Sequence, residues 1–104
     1  MSGVRIGQVT HYFDRLKVAV LALTDVIRVD DYVHIVGHKT DFHQKVTSLQ
    51  INHQSVHEAQ PGQDVALMVS RRVRPHDVVY RSTAEETAKA QEDETLLSER
   101  LQGQ

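Results

Sequence analysis

Tyr32-Val33-His34-Ile35-Val36-Gly37 is followed by Phe42-His43-Gln44-Lys45-Val46-Thr47-Ser48-Leu49-Gln50-Ile51, then by Gln60-Pro61-Gly62-Gln63 and the apolar run Val65-Ala66-Leu67-Met68-Val69. Short apolar runs alternate here with turn residues, the order expected of a small closed β-barrel. Successive side chains of a strand point to opposite faces, which assigns Val33 and Ile35 to the core. Within 42–51, Val46 has one parity and Leu49 with Ile51 the other. The phase therefore slips once near Thr47-Ser48, as a β-bulge would make it do where a sheet curls to close. In Gln60-Pro61-Gly62-Gln63, proline presets the first central φ and glycine permits the positive φ of the second, which predicts a type II turn. The polar link His38-Lys39-Thr40-Asp41 predicts a hairpin between the first two runs.

Working outward, six strands are expected, at about 4–9, 17–23, 32–37, 42–51, 64–70 and 78–81. Their content of β-branched residues is high and strong helix formers do not occur there in runs. The second and fifth are apolar on both parities. That pattern fits either a barrel wall under a loop or an interface with another protein. Beyond Tyr80 the composition turns to Glu, Ala and Gln. Ser82 and Glu85 have capping-box spacing, and Thr83 to about Leu101 is expected to be helical in part, with Leu97 and Leu101 on one face. The apolar stripe is thin, so the segment is either a mobile, marginal helix or one packed on the barrel or a partner.

The fold class expected is all-β: a six-stranded Greek-key barrel over residues 1–81, with an acidic helical or mobile tail at 82–104. A chain of 104 residues with 39% apolar content supports one modest core. It has no cysteine, which removes disulfides and thiolate metal sites. The longest apolar run, Val18 to Leu23, is far short of the roughly 20 residues of a membrane helix, and the N-terminus does not have the pattern of a signal sequence. A soluble, cytoplasmic protein with no membrane contact is expected. The net charge of -2 divides unevenly: residues 1–81 carry ten Lys/Arg against eight Asp/Glu, and residues 82–104 two against six. The body is mildly basic and its seven histidines would make it more so in mild acid.

Three phrases, Val26-Ile27-Arg28-Val29-Asp30-Asp31-Tyr32-Val33-His34-Ile35-Val36-Gly37, Val46-Thr47-Ser48-Leu49-Gln50-Ile51 and Glu58-Ala59-Gln60-Pro61-Gly62-Gln63-Asp64-Val65-Ala66-Leu67, resemble the second domain of translational GTPases such as elongation factor Tu. Asp30 stands where that family's strand-entry phrase has its first glycine. Ile6-Gly7-Gln8-Val9-Thr10-His11-Tyr12-Phe13, Gly37-His38-Lys39-Thr40-Asp41-Phe42 and Val73-Arg74-Pro75-His76-Asp77-Val78-Val79-Tyr80 are similar to phrases in small elongation-factor-like proteins and in the barrel behind the catalytic domain of collagenase-like peptidases. The resemblance covers residues 5–81 and implies a Greek-key barrel acting as a binding module. It does not extend to a GTPase, since the five glycines never form a phosphate-binding loop before a lysine.

Arg71-Arg72-Val73-Arg74 is the one concentrated positive run, in a loop between the fifth and sixth expected strands. Arg71, Arg72 and Arg74 could grip phosphates, or could be a solvated loop paired locally with Asp77 or Asp64. In His11-Tyr12-Phe13 one aromatic must face outward if the other is buried, and an outward ring could stack on a base; the alternative is a plug at the barrel end. His11 and Tyr12 therefore join the three arginines as candidate nucleic-acid contacts. The histidines have no carboxylate at a recognisable ligand spacing, so no metal or other cofactor is expected. No Gly-x-Ser-x-Gly elbow and no thiol is present, and the pair Asp30-Asp31 reads as a turn, so no catalytic residue and no enzyme is expected. The main expectation is a non-catalytic, elongation-factor-like barrel binding RNA or a translation-related, ribosome-associated partner. The alternative is a protein-interaction subunit docking on a separate peptidase-like or RNA-modifying enzyme.

Overall fold

The computed structural model describes residues 3–90. Its strands are β1 (Arg5–Phe13), β2 (Val18–Leu23), β3 (Ile27–Arg28), β4 (Tyr32–Gly37), β5 (Thr40–Lys45), β6 (Leu49–Ile51), β7 (Gln54–Val56), β8 (Glu58–Ala59), β9 (Asp64–Met68) and β10 (Val78–Ser82), followed by helix α1 at 84–90. Eight of them form one sheet in the order β5-β4-β10-β1-β2-β9-β6-β7, and β3 pairs with β8. Every pairing is antiparallel. β10, the last strand, inserts between β4 and β1.

The all-β fold class holds, but the sheet is open in its backbone pairing: β5 at one edge and β7 at the other are not joined by a ladder. The curl is instead bridged by a side chain. The Gln44 amide, buried on β5, accepts from the Ser70 N–H at 2.8 Å and donates to the Met68 carbonyl at 2.9 Å. One amide thus satisfies two backbone groups at and just past the end of β9, beyond the residues that pair with β6.

Residues 42–51 are two strands rather than one. After Lys45 the chain leaves the β5 edge and re-enters as β6 beside β9. The parity slip at Thr47-Ser48 is this crossing and not a bulge. Val46 is buried at the crossing and its backbone bonds to Asp31 and Asp30, at 2.7 and 2.8 Å. The bulges lie in β1, where the register shifts between Val9 and His11 and again between Arg5 and Gly7. The shift after Val9 lets Val9 and Tyr12, three apart, both face inward opposite Leu21 and Ala19. β7 belongs to a further hairpin, made by Asn52 and His53 with φ of 51° and 66°, the two positive dihedrals of a type I′ turn.

The core is one cluster, with Ile6, Leu21, Ile27, Ile35, Leu49 and Leu67 among its largest members. Val33 and Ile35 point into it as expected. Truncating such a side chain to alanine removes about 2–5 kcal/mol. Asp30 takes a φ of +79°, the region glycine would occupy, and Asp31 completes that turn by accepting from the Arg28 N–H at 2.9 Å. The strand entry is made with aspartate in glycine's place, because aspartate visits the left-handed region more easily than most residues.

Helix α1 is capped one residue later than the sequence spacing suggests. Thr83 Oγ1 accepts from the Glu86 N–H at 3.1 Å, while Ser82 is the last residue of β10. The Thr87 side chain is buried. The expected helix beyond 90 lies outside the described residues.

Candidate functional site

Three connections meet at one end of the sheet: the β1–β2 turn, the β4–β5 turn and the loop from Val69 to Asp77. The Val69 N–H bonds to the Lys17 carbonyl at 2.9 Å, which ties the loop to the first turn. Gly37, at the second turn, lies so close to Asp77 that an added Cβ would overlap its carboxylate. The Lys/Arg residues here are Arg15, Lys17, Lys39, Arg71, Arg72 and Arg74, against Asp14, Asp41 and Asp77. The opposite end carries the larger share of the carboxylates of residues 1–81: Asp25, Asp30, Asp31, Glu58 and Asp64. The molecule is electrically polar along its strands.

The loop owes its shape to Asp77. Its buried carboxylate accepts from the Arg74 N–H at 2.9 Å, and its own N–H bonds to the Arg74 carbonyl at 3.1 Å. With Pro75 second and His76 third at a φ of +79°, Arg74-Pro75-His76-Asp77 has the geometry of a type II turn. The turn is stitched to β1, since His76 N–H donates to the Val9 carbonyl and Val9 N–H to the Asp77 carbonyl, each at 2.8 Å. Asp77 therefore holds the Arg74 backbone rather than its guanidinium. Arg71, Arg72 and Arg74 are all exposed, and no described residue forms an ion pair with Arg72 or Arg74.

Of the aromatic candidates, the core takes Tyr12 and leaves Phe13 outside. Tyr12 packs against the core, whereas Phe13 is 45% exposed and its ring contacts that of His11 at a centroid distance of 4.4 Å. The outward ring is Phe13. Two neighbours extend the apolar surface: Phe13 pairs with Val18 across β1–β2, and Val18 with Met68 across β2–β9. Met68 is 50% exposed and Leu16, in the turn, 66%. The two-sided apolar character of β2 and β9 thus resolves into a row on the outer face, exposed at Phe13 and Met68 and half-buried at Val18. Parity could have located Val18 and Met68; the bulge in β1, which decides between Tyr12 and Phe13, has no sequence signature of its own.

The histidines do not converge on a common centre. His34 on β4 stacks on its cross-strand neighbour His43 with centroids 3.9 Å apart, and its Nε2 lies 2.6 Å from Asp41 Oδ1. His38 sits in the exposed β4–β5 turn, His53 in the β6–β7 turn and His76 in the basic loop. Among the described residues no group of three or more His, Asp or Glu could hold a metal ion. Nor is any helix among them long and apolar enough to cross a membrane.

No protein-family model matches the chain. An uncharacterized protease of Methanocaldococcus jannaschii is 32% identical over 78 residues, 74% of this chain and 19% of that protein. The chain thus spans about a fifth of the length of the curated relative it matches. Among solved structures, the C-terminal domain of a Geobacillus thermoleovorans protein assigned to the U32 peptidases superposes with a TM-score of 0.71 at 21% identity, covering 75% of this chain and 91% of that domain. Its selenomethionine variant gives 0.70 at 22% identity, covering 73% and 96%. These relatives support the peptidase side of the resemblance and lend nothing to its elongation-factor side. About three quarters of the chain therefore shares the fold of that C-terminal domain, and one segment of it is related in sequence to a much longer protease.

Proposed function

We propose that the chain is a non-catalytic docking module that works on or beside a peptidase-type enzyme. The observation that carries this is the Phe13–Val18–Met68 row, on a fold otherwise found appended to a peptidase. Phe13 and Met68 are exposed on either side of the half-buried Val18, and such neighbouring apolar side chains are the ordinary core of a protein interface. The basic residues beside them would form its polar rim. On this reading the chain contributes orientation or substrate delivery, and the reactive groups belong to the partner.

Purification from native cells with nuclease treatment is the test. The docking reading expects a peptidase-type chain to remain bound after nuclease and to be lost in Phe13→Asp and Met68→Asp variants that still fold. Loss of the association on nuclease treatment alone would overturn it. That outcome favours the second reading, RNA binding through Arg71, Arg72 and Arg74, whose support is their common exposure on one loop. If three phosphates of a single strand are neutralised, affinity falls with salt at a log–log slope of about -2.

A further inference from the structure

At the basic end, six Lys/Arg stand against three carboxylates, of which Asp77 is buried on the Arg74 N–H and Asp41 lies 2.6 Å from His34 Nε2. These cations border an apolar surface. Phe13, Val18 and Met68 form one row across β1, β2 and β9, and His11, Val20 and Ala66 form the next row on the same outer face. Phe13, Leu16 and Met68 are exposed, while Val18, Val20 and Ala66 are half-buried. An open recess of about 510 Å³ with mainly apolar walls lies among Tyr12, Phe13, Asp14, Arg15 and Leu16. A surface of this composition selects for two properties at once: apolar side chains to cover the rows, and negative charge to face the rim.

We propose that the partner enzyme meets this end with an acidic segment carrying apolar anchors: aliphatic or aromatic side chains on the Phe13–Val18–Met68 row and in the recess beside Leu16, and Asp or Glu side chains among Arg15, Lys17, Arg72 and Arg74. The inference rests on the docking reading and adds the chemistry of the partner's contact. Charge complementarity carries its polar half. Arg72 and Arg74 are exposed and form no ion pair with any described residue, so their guanidiniums are open to carboxylates of another chain. The apolar half distinguishes a polypeptide from a nucleic acid. Of the exposed large apolar side chains here, Leu16 and Met68 offer no ring on which a base could stack, whereas aliphatic groups of a polypeptide pack on them directly. The clustered cations also steer an acidic partner toward this end during encounter, and rim charges of this kind act mainly on association rate and salt dependence.

The test titrates the full chain with fluorescent synthetic peptides, reading affinity by anisotropy and position by amide NMR shifts. One peptide has leucines flanked by glutamates, a second has lysines for the glutamates, and a third has serines for the leucines. The first is expected to bind, to shift the amides of 13–18 and 68–74 and to leave 58–64 at the other end in place. Reversing the charge of the peptide should weaken binding about tenfold, the sum of a few exposed ion pairs lost. Arg72→Glu with Arg74→Glu should exchange the preference, so that the lysine peptide binds better than the glutamate peptide, a gain that an unfolded variant could not give. Met68→Asp should weaken the leucine peptides and leave the serine peptide unchanged. Equal binding of the glutamate and lysine peptides would overturn the proposal, as would shifts confined to other parts of the sheet. So would a uridine oligonucleotide that shifts the same amides at concentrations where the glutamate peptide does not bind, since that assigns the site to nucleic acid. No partner enzyme enters the titration: a peptidase-type chain that still copurifies through Phe13 and Met68 while the peptides show no charge preference would leave the docking reading standing and remove this one.

Discussion

Gln60-Pro61-Gly62-Gln63 and Arg74-Pro75-His76-Asp77 are the same turn built twice. In each, the fourth residue's N–H bonds to the first residue's carbonyl at 3.1 Å, and the fourth residue's side chain accepts from the first residue's N–H, at 2.8 Å from Gln63 and 2.9 Å from Asp77. Each has a positive φ at its third residue, +89° at Gly62 and +79° at His76. Each is stitched to a neighbouring strand in the same way, the first through Leu23 and the second through Val9, and each feeds a strand, β9 or β10. What differs is burial. Gln63 is exposed and meets the strain of the turn with a glycine; Asp77 is buried and holds a histidine in the left-handed region. The lesson is that a tertiary contact can impose the backbone that glycine would otherwise supply, and the imposed turn is the one that presents the basic loop.

Substitutions in the two turns, and at the Gly37 contact that braces the second, should separate them widely. Gly37→Ala is expected to have the largest effect, about 3 kcal/mol of lost stability, because the new methyl group meets a carboxylate that is already bonded to Arg74 and cannot withdraw freely. A wild-type urea midpoint would show that the Asp77 side is slack. Asp77→Ala should cost about 2 kcal/mol by leaving the Arg74 N–H without its acceptor, whereas Gln63→Ala, whose turn is open to water, should cost about 0.5. Equal shifts in the two variants would remove the distinction drawn from burial.

The third positions give smaller effects of opposite sign. Gly62→Ala should lose about 1 kcal/mol although nothing lies within 4 Å of the added Cβ, because the penalty there is conformational alone. His76→Gly should gain about 0.5 kcal/mol, the relief of left-handed strain being partly offset by a freer unfolded chain. Thermal melting resolves both, and destabilisation by His76→Gly would mean that the imidazole makes a contact more valuable than the strain it carries.

The same contrast governs what could be read in advance. Pro61-Gly62 declares its turn by composition, and Val33 and Ile35 declare their side by alternation, since both signals are local. Pro75-His76 does not announce a type II turn, because histidine argues against the dihedral it adopts and only the distant Gly37, Asp77 and Val9 enforce it. The division of 42–51 into β5 and β6 was concealed for the same reason. A crossing between sheet positions and a bulge leave the same parity slip, and the choice rests on the backbone bonds of Val46 to Asp30 and Asp31. Arg71, Arg72 and Arg74 were evident as a charged loop. That this loop shares an end with Lys17, Lys39 and an uncovered Phe13 was not.

By itself the sequence determined an all-β body with a change of composition after Tyr80 and no phosphate-binding loop, because strand alternation, turn residues and glycine spacing are properties of neighbours in the chain. Only the tertiary structure decided where the sheet stays open, that a Gln44 amide bridges the gap, and that Phe13 rather than Tyr12 faces water. Those outcomes depend on which hydrogen bonds and packing contacts close between different strands, and that information resides in no single strand's own sequence.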